Sequence, residues 1–122
     1  MPSAIPFFSL DRQSPKISSS VIENFKNIIE QNAFIGGKHV KAFEEQLEKY
    51  LSSKHSIGCG SGTDALWMSL AALDLQPNSI VLTTPFSFIA SSSEIVAHGA
   101  QPVFIDIEPE TFNIDPKQLE LW

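Results

Sequence analysis

Ten residues, Ile57-Gly58-Cys59-Gly60-Ser61-Gly62-Thr63-Asp64-Ala65-Leu66, concentrate the residue types from which a phosphate site is built. A short apolar run stops at glycines, Ser-Gly-Thr-Asp follows, and a strongly apolar helical pattern begins. At such a strand-to-helix corner the first helical N–H groups have no partner within the helix and carry partial positive charge. Phosphate binds there readily. Glycine lets the backbone come close to a ligand, and Ser and Thr hydroxyls add donors. The predicted cup is made by Gly62, Thr63, Asp64 and the Ser61 hydroxyl. A carboxylate repels phosphate, so Asp64 is expected to offer its N–H and turn its side chain elsewhere. Plain helix capping by Ser61 or Thr63 explains the same tetrapeptide, and on those four residues alone it is the simpler reading.

A second corner follows the next apolar run, at Leu82-Thr83-Thr84-Pro85-Phe86-Ser87-Phe88-Ile89. One of its aromatics could lie over a flat heteroaromatic ring, an offset stack worth about 0.5–1.5 kcal/mol beyond burial. Taken alone, Phe86 and Phe88 read equally well as core residues. Asp106, after a third apolar run, either faces a site or caps a turn before Glu108-Pro109, and the cap is favoured. His39, His55 and His98 border regular elements and read as structural or exposed. No metal site is predicted.

These corners need elements to hold them. Residues 1–13 read as an extended arm. Ser14-Pro15 suits a helix start, Ser as N-cap and Pro at N1. Ile17, Val21, Ile22, Phe25, Ile28 and Ile29 then share one helical face until Gly36-Gly37. A second amphipathic helix carries Val40, Phe43, Leu47, Tyr50 and Leu51, with Lys41/Glu45 and Glu45/Lys49 on its solvated side. From His55 onward, strands alternate with helices: strand 55–58, helix 63–75, strand 79–83, helix 86–98 closed by Gly99, strand 102–107. A last helix is opened by Asp115-Pro116, with Gln118 placed for a capping box. The helix at 63–75 is apolar almost all round, which predicts burial on most sides. Alternating apolar strands and helices predict an α/β fold, a mostly parallel sheet flanked by helices. The expected division is 1–54, an arm and two helices, and 55–122, an α/β domain.

The 122 residues carry 43% hydrophobic and 18% charged residues, which predicts a globular chain. The net charge is -6 and the eight basic residues form no block, which argues against nucleic acid and anionic membranes as partners. A lone cysteine, Cys59, rules out an internal disulfide and suggests a reducing compartment, so a cytoplasmic location is expected. The opening MPSAIPFFSLDRQ lacks the pattern of a signal peptide, and no apolar run is long enough to span a membrane.

Four blocks, in order, resemble the DegT/DnrJ/EryC1/StrS sugar aminotransferases, fold-type I enzymes that use pyridoxal phosphate. They are IPFFSLDRQ, FIGGKHVKAFEEQLEKYL, HSIGCGSGTDALWMSLAAL and TTPFSFIASSSEIVAHGAQPVFIDIEPETFNID. The resemblance runs from Ile5 to the end and covers the N-terminal part of the family's large domain. It implies that Gly62, Thr63 and Asp64, with Ser61, hold the cofactor phosphate, and that Phe88, not Phe86, stacks on the pyridine ring. It also implies a nucleotide-linked keto sugar, UDP- or dTDP-bound, as substrate and glutamate as the usual amino donor. The family's place in cell-surface polysaccharide or amino-sugar biosynthesis and its homodimeric form follow in the same way.

The resemblance also implies what is missing. In the family, the lysine that bonds the cofactor and the acidic partner of the pyridinium nitrogen come well after the segment matched by PVFIDI. None of the seven lysines (16, 26, 38, 41, 49, 54 and 117) stands in that context. No catalytic residue is therefore assigned, and these residues alone are expected not to transaminate. Alternatives are a non-catalytic remnant or interaction fragment of the family, and a dehydratase relative on the same fold. Dinucleotide binding is a poor fit, because GCGSG does not give G-x-G-x-x-G.

Overall fold

The computed structural model describes residues 5–122, and the first four residues of the predicted arm lie outside them. The chain forms two compact units that divide between Gly58 and Cys59.

In the first unit, α1 (Ser14–Glu30) starts differently from the sequence reading. Gln13, not Ser14, is the N-cap, and no side chain caps it. A turn over residues 10–13, in which Leu10 O accepts the N–H groups of Gln13 and Ser14, already leads the backbone into the helix. Pro15 still falls in the first turn, where a missing N–H costs nothing. The helix ends well before Gly36-Gly37, at Glu30, and is closed by Asn32, whose φ of +51° permits the bond from Ala33 N to Ile28 O. Helix α2 (Lys38–Leu51) follows Gly37, whose φ is +119°. On its solvated side Lys41 and Glu45 pair at 3.9 Å.

The stretch 55–58, predicted as a strand, is not one. Its backbone finds carboxylates instead of a neighbouring strand. Glu48 Oε1 accepts the N–H of Ser56 at 3.1 Å, and Glu44 Oε1 that of Gly58 at 2.7 Å.

The second unit holds α3 (Gly62–Ala72), β1 (Ile80–Thr83), α4 (Ala90–Ala97), β2 (Gln101–Phe104) and α5 (Pro116–Leu119). β1 and β2 are parallel, with Ile80 opposite Gln101 and Thr83 opposite Phe104. Thus the predicted parallel sheet is present as two strands among the described residues, joined by α4. α4 is shorter than the predicted 86–98. Thr84 Oγ1 accepts the N–H of Phe86, and Ser87 and Ser91 share a hydroxyl bond of 2.7 Å, which keep residues 84–88 in a loop. Gly99, with φ of +74°, closes α4 as predicted. Ala100 N bonds Ile95 O and Gly99 N bonds Val96 O, the two bonds of a Schellman ending.

The third predicted strand is also split. β2 stops at Phe104, and Ile107 forms an isolated antiparallel bridge with Ile114. Asp106 caps locally, its Oδ1 accepting the N–H of Ile107 at 2.8 Å. Asp115 caps α5 through Lys117 N, but Gln118 does not complete a capping box. Its Oε1 takes the N–H of Asp106, while Asp115 N bonds Asp106 O.

Among the described residues the buried hydrophobic ones are Ala90, Ile95, Ala100 and Ile105, all on or beside α4 and β2. α3 was expected to be buried on most sides, yet none of its residues is. It packs against α4, and Leu66, Trp67 and Met68 stay largely exposed. No helix among the described residues is long and apolar enough to cross a membrane.

Candidate functional site

The Ser61 corner is a helix start with two donors to spare. Ser61 has extended backbone and is the N-cap of α3, and its Oγ accepts the N–H of Asp64 at 3.1 Å. Its carbonyl takes the N–H of Ala65, the first intrahelical bond. The N–H groups of Gly62 and Thr63 are left without a partner among the described residues. Capping and ligand binding are therefore not rivals here. One hydroxyl satisfies Asp64, and two backbone donors remain at the positive end of the helix.

Two glycines shape this corner for different reasons. A Cβ on Gly62 would meet nothing within 4 Å, so open space lies beside its Cα. A Cβ on Gly60 would come within 2.7 Å of Asp64 Oδ2. The Asp64 carboxylate thus lies close over Gly60, and the Asp64 N–H, expected to face a ligand, is taken by Ser61 Oγ instead because that hydroxyl caps the helix. Gly60 was not singled out in the sequence; the signal for it is an acidic residue four positions on, at the helix's third position. Thr63 is half-buried and its side chain has no hydrogen bond among the described residues. Cys59 is exposed, and its Sγ reaches Ser61 O at 3.4 Å.

The second corner lies in the loop between β1 and α4, beyond the carboxyl end of β1. Its two aromatics part company there. Phe86 stacks on Phe112, with centroids 5.9 Å apart and planes inclined by 28°. Phe88 has no such partner among the described residues and is 73% exposed. It forms one wall of a cavity of about 230 Å³ that Thr84, Ser91 and Phe104 also line. None of residues 61–64 lines that cavity. Ser61, Gly62, Thr63 and Asp64 are gathered at the start of α3, and Phe88 lies in the loop between β1 and α4.

The middle of α3 is tied to the C-terminal end of α4. His98 Nε2 lies 2.9 Å from Trp67 O, and its ring packs 5.0 Å from the Trp67 ring. His98 is a structural histidine, as its position after the helix implied. His39 is exposed on α2.

Residues 15–121 match the DegT/DnrJ/EryC1/StrS aminotransferase family, and the chain belongs to that family. A pleiotropic regulatory protein of Geobacillus stearothermophilus is 39% identical over 116 residues, covering 95% of this chain and 31% of its own length. A UDP-2-acetamido-2-deoxy-3-oxo-D-glucuronate aminotransferase of Pseudomonas aeruginosa is 33% identical over 95% of this chain and 32% of its own length. Among solved structures, NtdA of Bacillus subtilis, with bound cofactor PMP, superposes with a TM-score of 0.91 at 32% identity. That match covers 99% of this chain and 28% of the other. The chain spans about a third of the length of the relatives it matches. Its fold is that of the N-terminal part of the large domain of fold-type I aminotransferases.

Proposed function

We propose that this chain supplies the phosphate-holding and ring-stacking part of a pyridoxal-phosphate-dependent nucleotide-sugar aminotransferase. The observation that carries the reading is the pair of free N–H groups on Gly62 and Thr63, with open space beside Gly62, at the start of α3. The residues fit the cofactor. Gly62 and Thr63 would donate to its phosphate, Ser61 and Asp64 would hold the corner's shape, and Phe88 would stack on its ring. Bound there, pyridoxal phosphate supplies the electron sink of amino-group transfer. The chain's own residues bind and orient; none of them is assigned a proton to move.

Residues 55–122 form the cofactor part in this reading, and 1–54 the arm and helices. The whole enzyme would move an amino group, from glutamate, to a UDP- or dTDP-linked keto sugar for polysaccharide or amino-sugar synthesis. It would work as a homodimer in the cytoplasm. The 122 residues by themselves are expected to give no transamination. A second reading is a non-catalytic remnant or interaction fragment of the same family, in which one relative carries a regulatory name.

The test is a titration of the purified chain with pyridoxal phosphate, read by Trp67 and Trp122 fluorescence and competed with inorganic phosphate. Weak saturable quenching is expected, reduced by Thr63→Ala and by Gly62→Pro. Proline at the first helical position keeps the helix but removes one donor. Binding that ignores both substitutions, or no binding at all, sinks the proposal. Turnover with glutamate and a keto sugar would show a more complete site.

A further inference from the structure

The segment Ser56–Gly58 has a strand's sequence pattern but forms no strand, and its N–H groups find two side chains of α2 instead. We infer that Glu44 and Glu48 are positioning residues whose carboxylates stand in for a neighbouring strand and fix the backbone leading into the Ser61 corner.

The match is geometric. Residues four apart on a helix lie roughly 6 Å from each other along one face. Alternate residues of an extended chain lie roughly 6.6 Å apart. Two carboxylates one helical turn apart can therefore meet the N–H groups of two alternate residues, as Glu44 and Glu48 meet those of Gly58 and Ser56. Neither takes the N–H of Ile57 between them, and the Ile57 side chain is 78% exposed. Both glutamates are half-buried, whereas Glu45 on the same helix is exposed and pairs with Lys41.

The closeness of Gly58 is part of the device. A Cβ there would lie 3.3 Å from Glu44 Oε1 and 3.5 Å from Val40 Cγ1. Glycine allows the 2.7 Å bond, a length typical of a charged acceptor. Gly58 stands three residues before Ser61, so the clamp ends just short of the donors that face a phosphate. Its functional half rests on the phosphate reading of that corner.

Hydrogen exchange of the full chain, held dilute and resolved to single amides by mass spectrometry, tests it. In the wild type the amides of Ser56 and Gly58 should exchange on the order of tenfold more slowly than that of Ile57. Glu44→Ala should release Gly58, Glu44→Gln should release it less, and Glu48→Ala should release Ser56, with the α2 amides unchanged. Equal exchange at 56, 57 and 58 in the wild type overturns the clamp, even if the variants misfold. In parallel, Glu44→Ala should weaken inorganic phosphate binding by several-fold. A released Gly58 with unchanged phosphate affinity overturns the positioning role. A wild type with the exchange pattern but no phosphate binding overturns the phosphate reading and leaves the clamp standing.

Discussion

Helices α3 and α4 lie side by side in the same unit, yet they end up in opposite circumstances. α3 is the more apolar, with Ala65, Leu66, Trp67, Met68, Leu70, Ala71 and Ala72 among its eleven residues, and none of them is buried. α4 contains three serines and a glutamate in eight residues, and it buries Ala90 and Ile95. The difference lies in the neighbours. α4 packs on both strands and on α3, while α3 packs on α4. Apolar sequence states a demand for covering, and the elements at hand decide whether it is met.

The sharpest way to break this contrast is Ile95→Ala, which removes the centre of the small core. Ile95 is 3% exposed, and its truncation should cost about 2–5 kcal/mol. Denaturant melting of the second unit should register it. Next comes Gly99→Ala. A Cβ at φ of +74° should cost roughly 1–2 kcal/mol and loosen the end of α4, read by the same melts. Ser61→Ala, which removes the cap on α3, should cost about 1 kcal/mol and release the Asp64 amide, visible in its exchange rate. The smallest effect is expected where the side chain is already exposed. Leu73→Ser, just past α3, should change stability by no more than about 0.5 kcal/mol. It should, however, reduce the self-association that so much open apolar surface favours, as read by sedimentation. A large loss of stability from Leu73→Ser would overturn the contrast between the two helices.

Local chemistry was legible in the sequence where a single residue type decides the matter. The Ser61 cap, the Asp115 cap and the Gly99 ending all follow such chemistry. The misreadings come from hydrogen-bond partners, near or far, that periodicity does not show. Residues 55–58 have a strand's pattern, but two glutamates eight and fourteen positions earlier take their N–H groups. Residues 86–89 continue a helical pattern, but Thr84 and the Ser87–Ser91 bond hold a loop. Ser14 looks like a cap, but the turn at Leu10 already starts α1. At the candidate site, hydroxyl and glycine spacing marked the corner. The fold of Asp64 over Gly60 depends on a side-chain direction that spacing does not carry.

The four buried hydrophobic residues fall at positions 90, 95, 100 and 105, one every five residues. A core assembled from such near neighbours closes only short loops, and topology of that kind folds quickly. The stretch from β1 through α4 to β2 should therefore condense first during refolding. Pulse labelling should find the amides of Gln101 and Ile105, which bond Ser79 and Thr83, protected ahead of those in α3. Helix α3 would then dock onto a nucleus already formed, so slowing that nucleus with Ile95→Ala should delay both.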